Sequence, residues 1–175
     1  MPYAGPATMT PADEMERLRA PDTIEVLARA MHENYVREQR AKGDGPASNR
    51  SLVSWDEADE SLKASNRRFA EGIGEKLEAA GCTLRPAPPG ESSPSFRFTD
   101  REVEELARLE HDRWMSDLLR DGWRRGAAKD PARKEHPLLV GWSELSEDDR
   151  DKDRDAVRSL PSMLLRAGFE IQRVR

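Results

Sequence analysis

A mainly α-helical fold, built from two related helical units with long structured loops and at most short strands, is the class this sequence predicts. Three observations predict it. The 175 residues are 36% charged and only 36% hydrophobic, a balance that suits amphipathic helices with charged outer faces around a modest core. Val103, Ala107, His111, Trp114 and Leu118 share one helical face, as do Ile24, Ala28, His32 and Tyr35. Finally, the chain repeats itself. A shift of 79 lays Ile24–Val36 on Val103–Met115, matching Glu25, Leu27, Ala28, Arg29 and His32 with Glu104, Leu106, Ala107, Arg108 and His111. A shift of 87 lays Leu52–Leu84 on Leu139–Ile171 without a gap, with 9 of 33 positions identical. Average residue usage would give about one match in fifteen. The pattern predicts a tandem duplication with an eight-residue insertion in the second copy.

Each element follows from local chemistry. Residues 1–21, rich in Pro and Ala, are expected to form an N-terminal arm, partly disordered. The first copy spans 22–85. Asp22, with Glu25 three residues on, is a candidate helix cap. A loop then leads through Leu52, Val53 and Trp55 to a second helix, expected to break near Gly74. A short final helix should end at Gly81, before an apolar tail that reads as a strand. Residues 86–98, "PAPPGESSPSF" and its flanks, read as a linker. The second copy covers 99–175. Thr99 and Glu102 form a capping-box pattern, Gly122 is a C′ candidate, and Ser146 can cap the next helix. Proline does not fit a helix interior, so a break or kink is expected at Pro161. The copy should end like the first, at Gly168, with "FEIQRV" as its strand.

The bulk properties exclude several classes. A net charge of −5 gives no drive toward nucleic acid or an anionic membrane, and no apolar run reaches the ~20 residues a bilayer span needs. The first residues lack the basic and apolar regions of a secretory signal. The single cysteine, Cys82, fits a reducing compartment and a buried structural thiol. A cytoplasmic protein without membrane insertion is expected. No phosphate-binding glycine loop, zinc spacing or isolated carboxylate pair is present, so neither cofactor nor metal is expected and the reading is non-enzymatic.

The residues that invite a functional reading lie on the repeated faces. His32 and His111 each sit beside the apolar stripe, with Tyr35 and Trp114 one turn further on. A core histidine satisfied by a main-chain carbonyl is the plainer reading of each imidazole. The aromatics suggest a clamp across a pseudo-twofold axis. Asn66-Arg67 and Asp153-Arg154 recur at equivalent places, which fits either a structural or a ligand-contacting role. The stretch from Trp123 to Trp142 carries Arg124, Arg125, Lys129, Arg133, Lys134 and His136. Indole beside guanidinium and ammonium suits a planar anion, or else a charged surface loop pinned by two tryptophans.

The ordered set His111-x-x-Trp114, Gly122-Trp123, His136-Pro137, Leu139-Val140, Trp142, Asp153-Arg154 and Gly168-Phe169 resembles the ryanodine-receptor repeat, or RyR domain, of the bacterial or phage type. The first copy resembles a degenerate member: it keeps His32, Tyr35, Leu52-Val53, Trp55, Asn66-Arg67 and Gly81 but lacks the Gly-Trp and His-Pro elements. The resemblance implies a non-enzymatic, pseudo-twofold pair of repeats with an adenine nucleotide held in the groove between them. It implies Tyr35 and Trp114 as stacking rings, Lys129 on the phosphate side, and Asn66 and Asp153 as polar contacts. His32, His111, Arg67 and Arg154 complete the candidate set. The implied partner is a small nucleotide-like molecule, with an effector or channel protein receiving the response. The alternative is a protein-interaction scaffold using the tryptophan-rich loop 123–142, which requires Trp123 or Trp142 to be exposed.

Overall fold

The computed structural model describes residues 9–174. The fold is mainly helical, with two small two-stranded sheets. Contacts divide it into two compact units, one comprising residues up to Arg97 together with those from Ser159 onward, the other Phe98–Arg158. The expected second repeat, 99–175, therefore crosses a unit boundary.

The first unit begins with α1 (Pro11–Leu18), where an arm was expected. The Thr10 hydroxyl accepts from Asp13 N at 3.2 Å, and the Asp13 carboxylate accepts from Thr10 N at 2.8 Å. This box, with Pro11 at the first position, starts a helix too short to persist alone. Burial of Met15 and Leu18 completes its stability. Residues 1–8 of the expected arm lie outside the described residues.

Helix α2 (Pro21–Ala41) starts earlier than expected: Ala20 is the N-cap, without a side-chain bond. Pro21 presets the first helical φ and holds Ala20 extended. Asp22 thus lies in the first turn rather than at the cap. Asp59 caps α3 (Glu60–Glu71) by accepting from Leu62 N at 2.8 Å. The helix breaks at Gly72, not Gly74. Gly74 sits buried inside α4 (Ile73–Ala79), where a Cβ would meet Met15 Cε at 3.4 Å. Strand β1 (Cys82–Pro86) follows Gly81, whose φ is +62°, and Cys82 is buried.

The segment expected as a linker is tied down. Ala87 N donates to Gly168 O at 3.0 Å, Ser95 Oγ to the buried Glu170 carboxylate at 2.8 Å, and Arg173 lies over the Phe96 ring.

In the second unit, Thr99 and Glu102 form the expected capping box of α5 (Asp100–Arg120). The helix ends through Gly122, at φ +85°, as Trp123 N donates back to Leu118 O at 2.9 Å. Two short parallel strands, β2 (Arg124–Arg125) and β3 (Glu135–His136), organise the inserted loop. A 3-10 turn at Trp142–Glu144 leads to α6 (Glu147–Arg166), which Ser146 caps by accepting from Asp149 N at 3.2 Å.

Helix α6 runs through Pro161 without the expected break. Proline removes one main-chain bond, at a cost of about 3 kcal/mol in an ordinary helix interior. Val157, Leu160, Met163 and Leu164 are all fully buried on this helix. At about 1.5–3 kcal/mol for each buried apolar side chain, that stripe outweighs the local loss.

Gly168, at φ +88°, then turns the chain into β4 (Phe169–Arg173). Strands β4 and β1 pair antiparallel in the first unit, with Leu84 opposite Ile171 at the centre. Those two residues stand 87 positions apart, and the same shift takes Gly81 to Gly168 and Ala87 to Val174, the partners in the flanking bonds from Val174 N to Gly81 O and from Ala87 N to Gly168 O.

Candidate functional site

The histidines explain the local design of both helices. His32 Nε2 lies 2.8 Å from Val53 O in the first unit, and His111 Nε2 lies 2.8 Å from Val140 O in the second. A ring nitrogen beside a carbonyl must carry the proton, so Nε2 donates in each. His32 is 1% exposed and His111 3%. Each imidazole therefore pins a loop to its helix: Val53 precedes Trp55, Val140 precedes Trp142, and both indoles pack near their histidine, at 5.7 and 5.9 Å between ring centres.

The recurring arginines are committed to similar internal contacts. Arg67 donates to the Glu25 carboxylate at 2.6 Å and pairs with Glu60. Arg154 donates to Glu104 at 2.7 Å and pairs with Glu147 and Asp151. Trp142 Nε1 adds a fourth bond to the second cluster, donating to Glu104 at 2.9 Å. The Arg154 guanidinium, reinforced by the Trp142 indole, holds the Glu104 carboxyl below its usual range; Arg67 does the same to Glu25. Both guanidinium pKa values move upward. These arginines brace α2 to α3 and α5 to α6. Asn66 is similarly occupied, donating to Leu62 O of its own helix at 2.9 Å.

The aromatics have a different environment. Tyr35 is half-buried, its hydroxyl accepting from Asn49 Nδ2 at 2.9 Å. Trp114 is half-buried one turn after His111, and the ring of His136 meets it edge-on at 5.0 Å. Strand β3 carries His136 there, and the Trp123 ring lies 6.3 Å from it. Burial, helped by the nearby charge of Lys129, pushes the His136 pKa down to about 4. The neutral ring accepts from Leu138 N through Nδ1 at 3.2 Å, so protonating that nitrogen would set two N–H groups against each other.

The second unit thus gathers His111, Trp114, Lys129, Asp153 and Arg154 around α5, the inserted loop and α6. Asp153 Oδ2 stands 3.8 Å from His111 Nδ1. Lys129 is exposed. Three other bases of the loop are matched by acids or carbonyls: Arg124 pairs with Glu135 at 2.8 Å, Arg125 with Glu144 at 3.7 Å, and Lys134 donates to Asp121 O at 2.7 Å. Trp142 is 7% exposed, and Trp123 is half-buried. Sequence reasoning put His136 in the basic loop but missed its place against Trp114. The His-Pro dipeptide was the available signal. Asn49, the partner of Tyr35, had no signal beyond lying in a turn-rich segment.

Among the described residues, no helix is long and apolar enough to cross a membrane. Residues 97–173 match the family model described as RyR domain. The matched segment contains the capping box of α5, the His111–Val140 tie, the His136–Trp114 contact, the Glu104–Arg154 cluster and strand β4. Over that segment the chain is similar to the RyR-domain family.

Proposed function

We propose that this protein is a non-enzymatic, cytoplasmic ligand-binding module that takes an adenine nucleotide or a nucleotide-derived signal. Tyr35 and Trp114 serve as its stacking rings, Lys129 as the phosphate-side cation, and Asp153 as an acceptor for ribose hydroxyls or an exocyclic amine. The two helical copies act as a tandem pair, and an effector or channel protein receives the response.

One observation carries the reading. His32 and His111 are fixed at the same 2.8 Å by carbonyls 21 and 29 residues away, and each holds rigid the helical turn that presents a half-buried aromatic. A ring preset in this way loses little conformational freedom on stacking. Buried charges of the clusters then belong to support, and the aromatics remain for recognition.

Titration of the full chain with ATP, ADP, AMP and cyclic adenine nucleotides, followed by calorimetry and thermal melting, tests the proposal. A saturating ligand should add a few kcal/mol of stability. Trp114→Ala should abolish the response and leave the helical circular dichroism intact. Phosphates seated at Lys129 would offset its charge, so the His136 pKa should rise on binding. No response to any nucleotide would sink the reading. The competing scaffold reading needs Trp123 or Trp142 exposed; Trp142 is buried, which leaves the half-buried Trp123 as its anchor.

A further inference from the structure

In the first unit a cleft of about 400 Å³, whose lining includes His32 but not Tyr35, opens between α2 and the loop around Val53–Asp56. That volume is within the range of small-molecule sites, roughly 300–1,000 Å³. Its floor is formed by His32, Val36, Val53 and Trp55, the same imidazole–carbonyl scaffold described above. Its walls carry Arg29, Arg37 and Arg40 against the carboxylates of Glu33 and Asp56.

The charges do not cancel evenly. Glu33 is taken by Arg29 at 2.8 Å, and Asp56 acts on Arg29 as well. Arg37 donates to the Asn34 side-chain oxygen, and Arg40 to Leu52 O at 3.4 Å. Both acceptors are neutral. The Glu57 carboxylate accepts from Ser54 N at 3.1 Å and Ser54 Oγ at 2.6 Å, and the Arg40 charge reaches it only as a minor, longer-range attraction. Two guanidiniums with donors to spare therefore edge a cleft whose floor cannot neutralise them.

The second copy shows that the scaffold does not require them. Positions 79 residues on from Arg37 and Arg40 are Ser116 and Leu119, yet the His111–Val140 tie and the Trp142 packing are the same. Placing two arginines on one side of a supported cleft serves something other than folding.

We infer that this cleft binds a phosphate group, free or carried as the monoester of a small hydroxylated molecule, between the guanidiniums of Arg37 and Arg40. The planar forks of two arginines match the oxygens of a phosphate dianion. The carboxylates of Glu33, on the same helix, and Asp56, on the facing loop, also line the cleft and suit the hydroxyls of a carrier.

The test uses the isotopically labelled full chain, with the arginine Nε–H resonances followed by NMR during titration with inorganic phosphate, glucose 6-phosphate and glucose. Phosphate and the ester should shift the Arg37 and Arg40 signals, while glucose should not. Tighter binding of the ester identifies a phosphomonoester as the ligand, and equal affinity identifies free phosphate. R37Q/R40Q should lose at least tenfold in affinity at unchanged melting temperature, and R37K/R40K should retain part of it. The response should persist in Tyr35→Ala and Trp114→Ala, which separates this site from the nucleotide reading. Unmoved Arg37 and Arg40 signals at millimolar phosphate, or undiminished binding by R37Q/R40Q, would overturn the inference.

Discussion

Acidification below neutral pH should destabilise the fold through a single imidazole, His136. In the folded chain its pKa is about 4; an unburied histidine titrates near 6.5. The sign follows from proton binding. As pH falls through 6.5 the unfolded chain takes up a proton that the folded chain refuses, so stability present above 6.5 is lost progressively toward about 4. The full gap corresponds to at most about 3 kcal/mol. Because the ring is only half-buried, solvent screening reduces the expected loss to about 1 kcal/mol. Urea unfolding across this window, in parallel for the wild type and His136→Gln, isolates the contribution, since the variant keeps every other titrating group. The variant loses the edge-on contact with Trp114 at all pH values, which shifts its curve without changing the slope. Wild-type stability should fall more steeply with pH than that of the variant. NMR titration of the His136 ring provides the direct check. A midpoint near 6.5, or identical slopes for the two proteins, would refute the argument that burial in the loop keeps this ring neutral.

Other perturbations probe the supports. Glu104→Gln removes the charge that holds Arg154, whose side chain is only 14% exposed, and should cost about 1–3 kcal/mol in urea unfolding. Glu25→Gln makes the matching change against Arg67, at 31% exposed, where screening limits the loss to about 1 kcal/mol or less; equal losses would contradict this ranking. Gly126→Ala places a Cβ 2.6 Å from Glu135 Cβ, so the β2–β3 pairing must shift, costing about 1–3 kcal/mol of stability, and amide exchange at Gly126 should accelerate.

What the sequence made readable was the chemistry that acts over three or four residues. Thr99 with Glu102, Ser146, and glycine at 122, 81 and 168 each name a helix start or stop, and all occur as expected. Helix α1 escaped because eight residues of mixed polarity acquire stability only from the burial of Met15 and Leu18, which no local pattern announces. The uninterrupted α6 escaped for the converse reason: Pro161 is a correct local signal outvoted by a buried stripe. Arg67 and Arg154 were ambiguous because their partners Glu25 and Glu104 lie 42 and 50 residues away. A recurring arginine reads equally well as ligand contact or brace until its partner is placed.

That ambiguity resolves in a useful direction. Four of the positions identical between the copies, His32 with His111, Glu25 with Glu104, Arg67 with Arg154 and Trp55 with Trp142, are consumed by internal contacts. At these four positions sequence identity marks scaffold, because the same ties occur in both units. Recognition chemistry has to be sought where the copies differ on that scaffold. Such differences are Tyr35 against Trp114, Arg37 against Ser116, Arg40 against Leu119, and the inserted loop that carries Lys129 and His136. A substitution at an identical position should act first on stability. One at a divergent position should act first on binding, as Trp114→Ala and R37Q/R40Q are expected to do.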